Sequence, residues 1–337
     1  MTTDPPTMQA IIQDRYGAPE RVLRLDQTAR PSPGADDVRL RVRGTSVNTP
    51  DWTTVAGVPY AVRLQSGLRR PRHPVRGSDV AGVVDAVGPR VTDLQPGDEV
   101  LGSLWSGATA SQSGAFAQYA VAPASQLVKK PAGLSFEEAA ASVMTGLTAM
   151  KAMRDVGQVS PGTRVLINGA SGGVGTMAVQ IANSLGAEVT GVCSTRNVEL
   201  VRSLGADHVI DYTNQDFTQS QQRYDVILDN VLNHSPKAVA RLLAHDGVLI
   251  PNSIGNTGGL LAGLPRMARA ALMGKGATNV KFVTVAVNRE NLNALVRLLE
   301  TDEVRVVIDQ TYPFDKTASA IAHVLAHHAS GKVAIVI

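Results

Sequence analysis

The chain has 337 residues, 44% hydrophobic and 18% charged, and carries a formal net charge of only +3. Two domains are expected at that length. The near balance of charge and the 4% of aromatic residues argue against a nucleic-acid partner read by basic patches and base stacking, and the single cysteine, Cys193, excludes an internal disulfide and a cysteine-rich zinc lobe.

The N-terminal MTTDPPTM has no basic region followed by an apolar core, so no signal peptide is expected. No window reaches the ~18 uncharged apolar residues of a membrane span. The stretch from Ile254 to Met273 comes closest, but Arg266 and Arg269 interrupt it. A cytoplasmic protein with no membrane partner is therefore expected.

The first 125 or so residues read as β-rich. Short apolar runs (QAIIQ, DVRLRVRGTSVN, DVAGVVDAVG, GDEVLGSL, AFAQYAVAP) alternate with turns such as PSPGADD and LQPGDEV, which predicts a barrel-like or sandwich domain. The cluster Arg69-Arg70-Pro71-Arg72, flanked by Arg63 and Arg76, reads as a solvated loop.

The style changes near Pro131. Ser135 with Glu138 three residues on forms a capping box opening a helix through EEAAASV. RVLING is a strand. Val174, Met177, Ala178, Ile181, Ala182 and Leu185 recur at helical spacing until Gly186. AEVTGVC is the next strand, so Cys193 reads as a buried thiol, and NVELVRSLG is a helix closed by Gly205. The tetrapeptide SLGA at Ser184 to Ala187 and again at Ser203 to Ala206 closes a helix and opens a strand each time. HVIDY, DVILDNV, GVLIPNSI and FVTVAV read as further strands. This alternation predicts a parallel sheet with right-handed crossovers. The tail holds a helix (ENLNALVRLLE), a strand (VRVVIDQTYPF), a helix (ASAIAHVLAHH) and a last strand (KVAIVI), and suggests a return to the first domain.

Between RVLIN and the first of these helices stand four glycines in seven residues, Gly169 to Gly175. A helix N-terminus offers unpaired N–H groups and partial positive charge, and a pyrophosphate approaches it only where no Cβ intervenes. The strand–glycines–helix context is that of a dinucleotide site; the alternative is a tight turn packed on itself. No Lys-Ser/Thr follows, so this is not an ATP-binding loop. At the end of the next strand, where an NAD site usually carries an acid, stand Ser194, Thr195 and Arg196. Hydroxyls and a guanidinium suit a 2′-phosphate, which favours NADP(H).

The order of a β-domain, GASGGVG, GADHVIDY and SGKVAIVI, with SVNTPDW, RGSDVAGVV, PGDEVLG, GAFAQYAV, LSFEEAAA and TGLTA, resembles the medium-chain dehydrogenase/reductase superfamily. Within it the chain resembles the zinc-free quinone oxidoreductase branch, including its reticulon-interacting-protein-like members. The resemblance spans essentially residues 8 to 337. It implies an α/β architecture: a GroES-like β-rich catalytic domain (1–127), a Rossmann doubly wound parallel-sheet domain binding NADP(H) (128–286) and a return segment completing the catalytic domain (287–337).

It also implies site residues. Asn48 is expected by the nicotinamide ribose and Thr145 by the nicotinamide; Ser171, Gly172, Gly173, Val174 and Gly175 at the pyrophosphate; Tyr212 near the adenosine phosphate; Asn230, Val231, Ser253, Ile254 and Gly255 at the nicotinamide end. Phe282, Val283 and Lys332 are further carry-overs to the cofactor. Tyr60 and Asp51 belong to the loop that roofs the pocket in relatives and join Asn48 as catalytic candidates, with Asp51 also suited to bracing the loop. Zinc-dependent relatives hold their metal where this chain has Asn48 and the Ser78-Asp79 pair; amide and hydroxyl do not replace thiolate and imidazole, so no metal is expected.

His323 and His327 have metal-ligand spacing, but with no acid nearby in sequence they read as a solvated helix face. Tyr312 and Lys316 have the Tyr-x-x-x-Lys spacing of short-chain dehydrogenases, but Pro313 breaks the helix that motif needs. Hydride addition to the conjugated carbon of a quinone or an α,β-unsaturated carbonyl needs only NADPH, orientation and a hydrogen-bond donor. The alternatives are an NADPH-binding sensor or structural protein with weak reductase activity, and an NADP-dependent alcohol dehydrogenase. The apolar, Arg-spaced stretch LLAGLPRMARAALMGKGATNVKF reads as a substrate-pocket or subunit-packing segment, and FVTVAV as an edge strand of a homodimer.

Overall fold

The computed structural model describes residues 6–106, 109–110, 114–253, 264–276, 278–326 and 329–337. The chain forms two compact units: Met1–Met144 with Ala286–Glu300 and Ile308–Ile337, and Thr145–Val285 with Thr301–Val307.

In the first unit, the described residues form a seven-stranded sheet. Its order is Ile308–Pro313, Lys332–Val336, Asp37–Ser46, Asp79–Val87, Glu99–Ser103 and Leu127–Lys129, with Tyr119–Pro123 also pairing Asp37–Ser46. A separate hairpin pairs Thr7–Gln13 with Leu23–Ala29. Val38, Leu40 and Val42 alternate inward along their strand and pack with Val80, Val84, Val100, Leu104 and Leu127, the period-two burial of a one-sided sheet. The alternation ends at Thr45 and Ser46, both fully buried. There Ser46 pairs with Asp79 on one side and with Ala334 of the returning C-terminal strand on the other. Three chain segments far apart in sequence thus meet at one polar point.

The division falls at Met144/Thr145, not near residue 127. Leu127–Lys129 is the reason: it pairs with Glu99–Ser103, Val100 facing Lys129, and so extends the first sheet. The helix expected after it runs Phe136–Met150, and the division lies inside that helix. Its capping box is present: Ser135 N–H and Oγ–H donate to Glu138 Oε2 at 2.9 and 2.8 Å, and Glu138 N–H donates back to Ser135 Oγ at 3.1 Å.

The second unit is built on a parallel sheet in the order His208–Asp211, Glu188–Cys193, Arg164–Asn168, Tyr224–Asp229, Leu243–Pro251, Asn279–Val280. The first strand in the chain lies third and the order reverses beside it, which is the doubly wound arrangement. Val165, Leu166 and Ile167 are fully buried, as strands covered on both faces require. Both SLGA segments end a helix in the same way. Ala187 N–H reaches Ala182 O and Ala206 N–H reaches Val201 O, over glycines at φ 79° and 100°, the left-handed cap that glycine favours.

FVTVAV is not a strand. The last strand is only Asn279–Val280, and residues 281–287 make no ladder. Lys281 N–H donates to Leu249 O, but the partner strand ends at Pro251, which has no N–H with which to continue the ladder. Among the described residues no helix is long and apolar enough to cross a membrane.

Candidate active site

The parallel sheet delivers most of the expected cofactor residues to one edge, directly after the C-terminal ends of its strands. The first strand ends at Asn168 and turns through Gly169 at φ 76° into the helix Gly173–Ser184, with Gly172 as its extended N-cap. A Cβ on Gly175 would lie 2.1 Å from Gly169 O and 2.8 Å from the Ala170 backbone, so this glycine is demanded by helix-on-turn packing. A Cβ on Gly172 would meet nothing nearer than Gly169 O at 3.5 Å; the fold leaves that face of the turn open. Ser171, Gly172, Gly173 and Val174 are half-buried and Gly175 is buried.

Ser194, Thr195 and Arg196 follow the second strand. Asn197 Nδ2 donates to Ser171 Oγ at 3.0 Å and, more weakly, to Ser194 Oγ at 3.4 Å, tying this turn to the glycine turn. Thr195 is committed elsewhere: its hydroxyl donates to Asp211 Oδ2 at 2.6 Å. Hydrogen bonds from Thr195, Thr213 and Asn214 hold the Asp211 carboxyl below its ordinary range. Arg196 is exposed, and so is Tyr212, at 55%. After the fourth strand, Asp229 Oδ1 accepts from Asn168 Nδ2 at 2.8 Å and from the N–H groups of Val231 and Leu232. Asn230 N–H bonds Asn168 O, and Asn252 Nδ2 donates to Asn230 Oδ1 at 2.8 Å. Ser253 follows, half-buried; Ile254 and Gly255 lie outside the described residues.

Thr145 stands apart, buried in the helix Phe136–Met150. Phe282 is 39% exposed and Val283 half-buried, beyond the last strand. Sequence reasoning missed Asn168, Asn197, Asp229 and Asn252. For Asn168 and Asp229 the signal was a polar residue ending an apolar run, RVLIN and DVILD, where an interior strand would otherwise stay apolar.

The first unit holds a second set of polar groups, all buried. Asn48 caps the helix Thr49–Ala56, and Asp51, its third residue, accepts Asn48 N–H through Oδ2 at 2.8 Å. Asn48 Nδ2 donates to Asp79 Oδ2 at 2.7 Å and to Ser78 Oγ at 3.1 Å. Ser46 Oγ–H donates to the same Asp79 oxygen at 2.8 Å. Lys332 Nζ donates to Asn48 Oδ1 at 2.6 Å and to Val47 O at 2.8 Å, and lies 3.9 Å from Asp79 Oδ2. Asn48, Asp51, Ser78 and Lys332 are each 5% exposed and Asp79 is 0% exposed.

Burial dominates the electrostatics here. It pushes Asp51 up to about 7, with the neighbouring Asp79 charge adding to the shift and Lys332 opposing it. Asp79 is raised by burial and held back by Lys332; Lys332 is lowered by burial and held back by the two carboxylates. Two buried acids therefore share one buried ammonium. The structure places Lys332 in this network, in the first unit. Of the three catalytic candidates, Asn48 and Asp51 face inward as network members. Tyr60 is 48% exposed, with the Arg63 guanidinium 4.2 Å from its ring centroid.

The flanking arginines are not solvated as expected. Arg63 stacks on Tyr16 and Tyr60 and bonds Gly57 O, and buried Arg76 bonds Gln13; Arg69, Arg70 and Arg72 are exposed. His323 does have an acid partner, Asp309 at 2.9 Å, and its Nδ1 lies 2.9 Å from the Tyr312 hydroxyl, because the strand carrying Asp309 lies beside its helix. His327 lies outside the described residues. Tyr312 sits on a strand and Lys316 in a 3-10 turn, which is no helical Tyr-Lys pair. Cys193 is buried in its strand.

Residues 34–132 match the family described as alcohol dehydrogenase GroES-like domain, and residues 204–335 match that described as zinc-binding dehydrogenase. The chloroplastic quinone-oxidoreductase QR1 of Triphysaria versicolor is 32% identical over 346 residues, covering 97% of this chain and 98% of its own. The mitochondrial NAD(P)H oxidoreductase RTN4IP1 of Mus musculus is 33% identical over 358 residues, covering 97% and 89%. The solved structure of the quinone oxidoreductase from Coxiella burnetii is similar with a TM-score of 0.85 at 25% identity, covering 98% of this chain and 99% of that one. With its glycine turn, its doubly wound sheet and full-length relatives at this identity, the chain belongs to the medium-chain dehydrogenase/reductase superfamily, in its quinone oxidoreductase-like branch.

Proposed function

We propose that the chain is an NADPH-dependent reductase of quinones or α,β-unsaturated carbonyls that works without a metal ion. The observation that carries this reading is the donor set at Asn48, Ser78 and Asp79. The family description implies a catalytic zinc, and the resemblance aligns its ligands with these positions. Zinc sites are made of thiolate, imidazole and carboxylate. Here the positions offer an amide, a hydroxyl and one carboxylate; the amide oxygen is taken by an ammonium, and one carboxylate oxygen, Asp79 Oδ2, by Ser46 and Asn48. This donor set does not fit zinc.

Alcohol–ketone exchange develops a full alkoxide charge on one oxygen, and these residues offer no metal to hold it. A conjugated carbon is electrophilic already. Relatives that bear the names quinone oxidoreductase and NAD(P)H oxidoreductase support that acceptor class. The nicotinamide, when bound, supplies the hydride. The open turn Gly169–Gly173 and the helix start behind it suit the pyrophosphate. Ser194 and Arg196 suit a 2′-phosphate, Thr195 being occupied by Asp211; Asn230, Val231 and Ser253 serve the nicotinamide end. Among Asn48, Asp51 and Tyr60, the exposed Tyr60 hydroxyl is the group of the three open to deliver a proton.

The reading includes a homodimer. The short edge strand Asn279–Val280, followed by residues that alternate exposed and half-buried with no ladder, supports it, and sedimentation of the purified protein checks it. The test of function is NADPH oxidation by chelator-treated protein with 1,4-naphthoquinone and with an enone, NADH in parallel. Saturable turnover with NADPH, several-fold above NADH, is expected. Tight NADPH binding without turnover on any acceptor would replace the reductase with a sensor.

A further inference from the structure

Asn48 sits between opposite charges. Its amide oxygen faces the Lys332 ammonium at 2.6 Å, and its amide nitrogen faces the Asp79 carboxylate at 2.7 Å. The flipped amide would put oxygen against carboxylate and NH2 against ammonium, losing two charge-assisted hydrogen bonds and gaining two repulsions. The orientation is therefore set by the pair, not by Asn48 itself. Neither charge is free to move. Asp79 is fully buried, with Oδ2 bonded to Ser46 and Asn48. Lys332 opens the final strand, in register with Ile308, and its ammonium is also held by Val47 O.

We propose that Lys332 is the positioning residue of this site: a built-in cation that fixes the Asn48 amide and compensates Asp79 at the positions where zinc-dependent relatives hold their metal. The proposal rests on the reductase reading for its effect on turnover. Its effect on Asn48 stands apart from that reading. With Lys332 in place the start of the helix Thr49–Ala56 has one arrangement: Oδ1 on the ammonium, Nδ2 on Ser78 and Asp79, and the backbone N–H on Asp51. Without it, Asn48 loses one of the two charged contacts that distinguish its amide orientations, and Asp79 becomes an uncompensated buried charge.

The test uses full-length Lys332→Met, Asp79→Asn and the double variant. Three quantities are read: the urea midpoint, kcat and KM with 1,4-naphthoquinone at saturating NADPH, and hydrogen exchange of the Asn48 side-chain amide in 15N-asparagine-labelled protein. The Asn48 signal is identified by its loss in Asn48→Leu. Lys332→Met is expected to lower the urea midpoint, lower kcat roughly 100-fold, the scale of a misplaced active-site geometry, and speed Asn48 exchange at least about tenfold through loss of a charge-assisted bond. The double variant, which removes the uncompensated charge, is expected to regain the midpoint but neither kcat nor slow exchange. Recovery of all three in the double variant would reduce Lys332 to charge compensation and overturn positioning, as would unchanged kcat and exchange in Lys332→Met. If wild-type protein turns over no acceptor, the reductase reading fails, and the Asn48 exchange rates decide the positioning claim by themselves.

Discussion

Lys332 Nζ and Asn48 Oδ1 lie 2.6 Å apart although 284 residues separate them in the chain. The contact exists because the final strand, opened by Lys332, pairs with Asp37–Ser46, whose last residue pairs with Asp79. A sheet register thus assembles a charged cluster that no local motif encodes.

The two glycines of the nucleotide turn separate folding from binding. Gly175→Ala drives a Cβ to within 2.1 Å of backbone and is expected to cost about 1–3 kcal/mol, the range for overpacking, while weakening NADPH. Gly172→Ala meets only an ordinary contact at 3.5 Å, so stability should hold within about 0.5 kcal/mol while NADPH affinity falls. Urea unfolding and a fluorescence titration of NADPH check both. Equal losses of stability in the two variants would show that the open face of the turn is not a ligand site.

Arg196→Ala is expected to discriminate between cofactors. A charge-assisted hydrogen bond contributes about 1.5–3 kcal/mol, so NADPH should weaken roughly 10- to 150-fold and NADH hardly at all. Titrating both nucleotides against the variant decides it. A parallel loss for NADH would move Arg196 away from the 2′-phosphate.

The raised Asp51 carboxyl makes stability depend on pH. Between the ordinary carboxylate value of 3.8 and about 7, the folded chain keeps a proton that the unfolded chain releases. Stability from this group is therefore complete below about pH 4 and is lost as pH rises through 7, with a slope of at most about 1.4 kcal/mol per pH unit. Relative to Asp51→Asn, the wild-type protein should lose about 1–3 kcal/mol between pH 5 and pH 8. Urea curves for both proteins at unit pH steps measure the difference, and a flat or rising difference would contradict the placement of Asp51 beside Asp79.

The nucleotide-binding fold was the most legible part of the chain. The strand and helix periods up to Pro251, the two SLGA caps and the glycine turn are local signals that are realised. FVTVAV misled because strand propensity says nothing of its neighbour, and Pro251 ends the ladder there. The edge of the first unit was set too early because Leu127–Lys129 is short and takes its meaning from Glu99–Ser103. His323 lacked a visible partner because Asp309 lies on the preceding strand, fourteen residues back. Asn48 and Asp51 were found through the SVNTPDW resemblance, but the bond between Asn48 and Lys332 depends on long-range register that a single sequence does not display.

The central claim, hydride delivery to a conjugated carbon without a metal, is tested most directly by isotope. Chelator-treated protein is given NADPH deuterated at C4 of the nicotinamide and an α,β-unsaturated ketone, and the product is examined by NMR. The expected product is the saturated ketone with deuterium on the β-carbon and the α-proton taken from solvent. Deuterium on the carbinol carbon of an allylic alcohol, or activity that returns only when zinc is restored, would contradict it.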